Sequence, residues 1–591
     1  MSVARRWFTG HEAWLVGAAL GYLASSLAAS VLFRFELATP SAVIAISVVV
    51  LALALRLTGA GRIEASELPW LAATWLVVML IVVVPFSRIG ASVADGVAYR
   101  AYFSADLMTH LSVVAELQKG SFPLQNPFYA GDGLGYYWLF FTLPAALGVW
   151  LGNQTALLAT YFAGGLLFAG LLYAAARRFD LAPARAFLAA SVMMGAVSYE
   201  GLLALLRSES WMNINVDAFS RWVLELISLD GLHRGLLYTP QHLFSYSLLV
   251  ILILLVHNGE PRRVSAAAFC GVLLGGMAGT SIVTAMLAGP WLVLVLWRRR
   301  HEVPFLATAS AATATSLAFL AWYVALGFFG DAGAALALRT PKLLELPSIL
   351  LIDCGALCFL AWRHAQRETE LVLLAALALV AVLFLDLRGY EGVWMAWRAG
   401  SVLLVALGLV AARALSGPLS LMHAIILAPA LLTVSLDVYN AADVTNRNPS
   451  PGGFPWTTVV SRAEWEALDW IRRETPQGAV VQWDVRAREL GEWALVPALG
   501  ERRMAVGFPI FLLDLQKYRQ RERRHARPIF NSGDAAEAHR KARELGIDYL
   551  VIGAAELRVR GERTRPLFEA RDRFRTVFES DGVAVLAVLA P

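Results

Sequence analysis

Cysteine is nearly absent from this 591-residue chain: only Cys270, Cys354 and Cys358 occur, all in apolar runs. That placement argues against a disulfide framework and against a zinc site. Charged residues make up 16% of the chain against 58% hydrophobic ones, and lysine is scarcest, with only Lys119 and Lys342 ahead of the C-terminal region. Internal repeats and low-complexity segments are lacking as well. The opening MSVARRW runs into an apolar segment without a small-residue cleavage signal, so it reads as an uncleaved first helix.

What the chain does have is length in lipid-like sequence. Apolar runs of roughly 17–25 residues recur, as spanning helices require, and mean hydropathy is +0.59. A soluble protein of this size does not carry so much apolar surface. The expected class is a mainly α, polytopic membrane protein of about 12–14 transmembrane or re-entrant helices, followed by a soluble α/β domain. Net charge is +5 with pI near 9.1. The excess is mostly arginine in loops, which sets topology and gives no reason to expect nucleic acid as a partner.

By the positive-inside rule, Arg5 and Arg6 hold the N-terminus in the cytoplasm. Spans at 12–34, 41–57 and 69–87 then deliver a loop, 88–133, to the outer face. Segments 134–151 and 155–176 precede Arg177, Arg178 and Arg185, a cytoplasmic-looking cluster. Two full crossings would put that cluster outside, so one segment should be re-entrant or lie along the surface. A span at 186–206 leads to a second outer loop, 207–241, and a span at 242–257 returns. The run 265–297 reads as two short passes or one kinked one, broken near Gly275–Ser281. Spans follow at 303–329, 346–363, 368–386, 399–415 and 420–438. The membrane domain is therefore 1–440. Residues 451–591 alternate: a helix at 461–475, a strand at 479–483, a helix at 533–545 with Ser532 as its cap, a strand at 547–553, and a hairpin at 575–589 turned at Asp581-Gly582. They read as an extracytoplasmic α/β domain.

The polar residues gather in three places. The first is 99–138, YRAYFSADLMTHLSVVAELQKGSFPLQNPFYAGDGLGYYW. Asp106 and His110, four apart, share one face of a short helix. A carboxylate there can serve as general base, position a nucleophile or ligate a divalent cation; alternatively Ser104 or Asp106 only caps the helix. His110 can orient Asp106, bind phosphate when protonated, or be an interfacial histidine. Tyr102 and Glu116 lie close in sequence. Tyr136, Tyr137 and Trp138 suit a membrane–water interface. The second place is the 207–241 loop, with Trp211, Asn213, Asn215, Asp217, Arg221, Asp230, His233 and Arg234, then Tyr238 to His242 (YTPQH). Pro240 suits a first helical turn; Gln241 and His242 sit at its outer end, facing water or a cavity, and His242 enters the apolar run, where a polar group needs a partner. The third is a set of outer-face cations that break the charge rule: Arg339, Lys342, Arg388 and Arg398. They either bind phosphate or pair with Asp331, Glu345, Asp386 and Glu391. The arginine run 519–527 reads as a solvated helix face, with lipid-headgroup contact as the alternative.

With the first outer loop, its acidic residue ahead of a short helix (FSADLMTH), the proline-rich turn and YYW from Pro123 to Trp138, the later TPQH and the outer C-terminal domain, the chain resembles bacterial membrane glycosyltransferases of the GT-C class. That superfamily includes protein O-mannosyltransferases, oligosaccharyltransferases and aminoarabinose transferases. The resemblance spans essentially the whole chain. It implies an enzyme of the plasma (inner) membrane that moves a hexosyl or pentosyl group from a polyprenyl phosphate or diphosphate carrier to a lipid, glycan or protein acceptor at the outer face. It also implies Asp106, alone, as the residue that acts as catalytic base or positions the acceptor; His110 is expected beside it from the four-residue spacing, with Asp106 as base in a direct displacement that inverts the sugar. Substrate-binding candidates are Tyr102, Glu116, Tyr136, Tyr137, His233, Gln241, His242, Arg339, Lys342 and Arg398. Some members use a divalent cation, Mg2+ or Mn2+. Here Leu107 follows Asp106, so the paired acids of some relatives are missing, and no metal ligand is assigned. The rival readings are a polytopic transporter or flippase-like protein for a lipid or glycan, against which the lack of repeated halves counts, and an outer domain that binds polymer beside a degraded site.

Overall fold

The computed structural model describes residues 7–8, 10–207, 219–257, 263–328, 336–387, 394–449, 455–488, 492, 494–507 and 515–590, without the side chains of 101–105, 221, 222 and 515. Trp211, Asn213, Asn215, Asp217, Asp331, Arg388 and Glu391 lie outside the described residues, as do the side chains of Tyr102, Ser104 and Arg221.

The protein is mainly helical and multi-pass. Among the described residues, eight helices are long and apolar enough to cross a membrane: Gly10–Arg34, Pro40–Thr58, Leu68–Arg88, Asn153–Arg178, Pro240–His257, Phe305–Ala325, Trp394–Leu415 and Leu421–Ala442. Two bent pairs, Pro183–Gly195 with Glu200–Arg207 (47°) and Leu343–Asp353 with Gly355–Ala361 (89°), add further apolar length. Four shorter apolar helices complete the set: Trp138–Leu151, Val264–Thr280, Ile282–Arg298 and Thr369–Phe384. The run at 265–297 is thus two short helices, separated where Ser281 takes an extended backbone (φ −164°). Trp138–Leu151 rises only about 21 Å at 1.5 Å per residue, short of a ~30 Å hydrocarbon core. Asn153–Arg178 is long enough to cross, so the shorter of the two segments fits the non-spanning role.

Enclosure differs sharply among the long helices. Pro240–His257 and Trp394–Leu415 are almost wholly surrounded by protein, while Phe305–Ala325 and Leu421–Ala442 leave most of their surface outward. A helix apolar on all sides is either central or lipid-facing, and both kinds occur here. The two enclosed helices are the ones that carry Gln241, His242 and Arg398.

The first loop and the C-terminal domain are one structure. Strands Ala91–Val93 and Gly96–Arg100 form a hairpin, and the second strand pairs antiparallel with Thr457–Ser461 in register Gly96↔Ser461 to Arg100↔Thr457. A Cβ on Gly96 would stand 2.0 Å from the Val460 carbonyl oxygen, so only glycine allows this approach. Beyond it, Met504 and Gly507 donate backbone hydrogen bonds to Pro127 and Phe128 (2.8 and 2.7 Å), and Ala130 donates to Met504 (2.8 Å). The loop and the domain therefore lie on the same side of the helical region.

The domain itself is built as the alternation suggests. Helix Arg462–Glu474 starts in a capping box between Ser461 and Glu464. A four-stranded sheet in the order Val481–Gln482, Tyr549–Ile552, Val583–Val588, Phe574–Ser580 packs beside it. Asp581 and Gly582 both have positive φ in the tight turn between Ser580 and Val583, the condition for a type I′ hairpin. One detail differs: the helix Ala535–Glu544 is capped by Asp534, whose side chain accepts from the Ala536 amide, and Ser532 instead bonds the backbone of Asp534.

Candidate functional site

Asp106 and His110 stand one turn apart on the helix Ala101–Gln118, whose cap residue is Arg100. Asp106 is therefore in the second turn and is no N-cap. It lies deep in the protein yet keeps partial exposure, and among the described residues nothing hydrogen-bonds its carboxylate. Burial pushes its pKa up to about 7, opposed by the charge of Arg398 and reinforced by that of Asp230. This is the pattern of a carboxylate kept basic by desolvation.

His110 is fully enclosed. Its Nδ1 bonds the Tyr161 hydroxyl, and its Nε2 lies 3.0 Å from the Tyr136 hydroxyl. Phe141 covers the ring at 4.8 Å between centroids. Burial, aided by Arg398, holds the imidazole down to about 3, so it stays neutral. A neutral imidazole donates from one nitrogen and accepts at the other. Gln241 Nε2 donates to the Tyr136 oxygen (3.1 Å). One self-consistent order runs from Gln241 through Tyr136 and His110 to Tyr161. His110 thus ties three elements together and brings no positive charge.

The opposite wall comes from the two enclosed helices. Gln241 and His242 occupy the first turn of Pro240–His257, and the His242 ring meets Tyr137 edge-on at 5.3 Å. Tyr137 in turn lies against Tyr136 (5.3 Å). Arg398, 5% exposed, sits one turn into Trp394–Ala412 with its guanidinium 5.9 Å from the Trp394 ring centre. Among the described residues its closest carboxylate is Asp230, at 3.7 Å from Nη1. Ser401, also on this helix, donates to the Asp230 carbonyl (3.3 Å). Among the described residues, the buried atoms Gln241 Oε1, His242 Nδ1 and Arg398 Nε here lack a partner. Orphaned buried groups of this kind are costly and ask for a ligand or another explanation.

A second buried network adjoins Asp230. Arg234 bonds Asp437 through Nε (2.8 Å) and Glu200 through Nη2 (3.0 Å), and His233 Nε2 lies 2.6 Å from Asp437. Ser220 donates its amide to Glu200 (3.1 Å) and its hydroxyl to Asp353 (3.2 Å). Burial raises the pKa of Asp230, with Arg234, Arg398 and His233 pulling the other way.

The structure thus brings together Asp106, His110, Tyr136, Tyr137, Gln241, His242 and Arg398. His233 belongs to the adjoining network. Glu116 is engaged elsewhere: it is fully buried between Lys119 (2.8 Å) and Arg503 of the C-terminal domain (Nε 3.0 Å from both oxygens). Burial raises its pKa, but the charges of Lys119 and Arg503 more than offset this and leave it below the usual range. Arg339 directs its guanidinium at the carbonyls of Leu383 and Val382, and Lys342 pairs with Glu345 at 2.8 Å. Tyr161, Glu200, Asp353 and Asp437 were not singled out from sequence. Their signal was a polar group inside an apolar run.

Among the described residues no group of three His, Cys, Asp or Glu side chains is placed to hold a metal ion. Around Asp106 the nearby charges are one further acid, Asp230, and the cation Arg398. Among the described residues, an arginine set against two carboxylates does not fit a divalent site.

No protein-family model matches the chain, and no curated protein matches it. Solved structures do. The oligosaccharyltransferase of Archaeoglobus fulgidus in its apo form is 13% identical, with a TM-score of 0.44 over 82% of this chain and 69% of that one. The archaeal enzyme from the same organism in complex with an inhibitory peptide and a dolichol-phosphate is 11% identical, with a TM-score of 0.42 over 82% and 69%. A form tethered to an acceptor peptide containing the NVT sequon is 13% identical, with a TM-score of 0.42 over 82% and 68%.

Proposed function

We propose that this protein is a membrane glycosyltransferase that takes a sugar from a polyprenyl-linked phosphate carrier and passes it to an acceptor at the extracytoplasmic face of a bacterial plasma membrane. The observation that carries the reading is a pair of opposites within electrostatic reach of each other. Among the described residues, Asp106 is an unbonded, partly exposed carboxylate with a raised pKa, and Arg398 is a buried guanidinium with a spare donor. A base and an anion-binding cation are the two groups that inverting transfer from a sugar phosphate needs.

In this mechanism the Asp106 carboxylate takes the proton of the acceptor hydroxyl as its oxygen attacks the anomeric carbon. The bond between that carbon and the phosphate oxygen breaks, and the electron pair leaves with the phosphate. Arg398 donates hydrogen bonds to the phosphate oxygens as their charge grows. His110 and Tyr136 are positioning residues, fixing the helix of Asp106 against Gln241. No proton donor is required, because the leaving group departs as an anion.

The test is Asp106→Asn in the full chain with a polyprenyl-linked sugar. Asparagine keeps the shape and removes the base. Turnover should fall about 10²–10⁴-fold, with carrier binding retained. Normal transfer by the asparagine variant defeats the reading.

A further inference from the structure

The C-terminal domain holds a second basic site, remote in sequence from Asp106. A cleft of about 370 Å³ is lined by Arg486, Glu522, Arg523, Arg527, Val559 and Arg560. Its four arginines are not equivalent. Arg486 is held by Glu522, which is 2% exposed, with Nε at 3.1 Å. Arg560 is held by Asp484, 4% exposed, with Nε at 2.6 Å. Buried carboxylates thus fix two guanidinium groups in the wall and neutralise them. Arg523 and Arg527 are exposed and, among the described residues, have no acid partner. Two uncompensated guanidinium groups converge beside two immobilised ones.

From this geometry we infer that the cleft is a binding site for a phosphate or diphosphate group. Arginine forks match phosphate oxygens bidentately, and the fixed pair removes part of the ordering cost. The site's place in the fold connects it to the loop that leads to Tyr136 and Tyr137. Arg523 lies in the stretch Glu522–Ala526 and Arg527 opens Arg527–Asn531, both continuing the helix Leu515–Arg521. That helix grips the first outer loop: Lys517 pairs with Asp132, Arg521 donates to the Ala130 carbonyl (3.1 Å), and its guanidinium covers Tyr129 at 4.2 Å. The same loop continues into Tyr136 and Tyr137. The inference does not depend on the transfer chemistry proposed above.

The test uses the full chain in an uncharged detergent, titrated with inorganic pyrophosphate by calorimetry. Arg523→Gln/Arg527→Gln should weaken binding about tenfold or more, while Arg519→Gln/Arg524→Gln, two exposed arginines of the same stretch outside the cleft, should leave it within about twofold. Repeating the titration in phosphatidylcholine nanodiscs with and without phosphatidylglycerol separates the sources. Weaker pyrophosphate binding in the anionic discs identifies a lipid headgroup as the occupant, and equal binding identifies a phosphate carried by a soluble molecule. Absence of saturable binding in detergent, or equal loss in both arginine pairs, overturns the site.

Discussion

Arg503, a residue of the C-terminal domain, holds the Glu116 carboxylate with its Nε 3.0 Å from both oxygens. Glu116 lies ten residues beyond Asp106 on one helix, about 15 Å along its axis. The soluble domain therefore anchors one end of the helix whose other end carries the proposed base. One acid serves two cations here, since Lys119 also pairs with Glu116.

That imbalance makes a directional prediction. Arg503→Gln leaves Glu116 paired with Lys119 and should cost about 3 kcal/mol, the lower end for breaking a buried pair. Glu116→Gln strands both cations in a buried place and should cost more. Thermal unfolding of the full chain at fixed pH measures both. A Glu116→Gln variant more stable than Arg503→Gln would contradict the assignment of Glu116 as the hub.

How far sequence carried these conclusions depends on the range of each contact. Asp106 and His110 were legible because a four-residue spacing places two side chains on one helix face. His242 was legible because a polar group in an apolar run needs a partner, and Arg398 because a cation beside a span on the outer face breaks the charge rule. The partners themselves were not: His110 meets Tyr161, 51 residues away. The strand Gly96–Arg100 is only five residues long and finds its mate more than 350 residues later, a pairing no local pattern encodes. Glu116 looked like a site residue because it is close to Asp106 in sequence, yet ten residues along a helix is far enough to reach a different domain.

Topology gives the second prediction. The sheet shared by the first loop and the C-terminal domain puts Ser532 on the side of Asp106, and the arginine-rich turn at 298–300 should lie opposite. Ser532→Cys should react with an impermeant maleimide in intact cells, and exposed Arg300→Cys only after the membrane is opened. The reverse pattern would invert the protein.

Arg398 gives the third. Among the described residues its Nε has no partner, and its Asp230 contact is long, so much of its donor capacity is available to a carrier phosphate. Arg398→Ala should weaken binding of a polyprenyl phosphate in a direct binding assay, by about 10–100-fold for a lost charge-assisted pair. Arg398→Lys, which keeps charge without the fork, should fall between. Equal affinity in all three proteins would remove Arg398 from the carrier site.

The last prediction follows the proton on Asp106. Its folded-state pKa is raised from 3.8 to about 7 by burial, so ionising it in the folded protein costs stability that the unfolded chain does not lose. The sign is that of a raised group: the cost is absent below pH 4, grows between pH 4 and 7, and is constant above 7. Asp106→Asn, which stays neutral, escapes it. The melting temperature of the asparagine variant should therefore match the wild type near pH 4, rise above it towards pH 7, and keep a constant lead beyond. Over the same interval wild-type turnover should increase, since only the ionised carboxylate can take the acceptor proton. His110, held neutral with a pKa near 3, should add no step of its own between pH 5 and 8. Melting curves for the two proteins that run parallel from pH 4 to 8 would mean that Asp106 titrates as an ordinary surface carboxylate, and the acid limb of the activity profile would then need another owner.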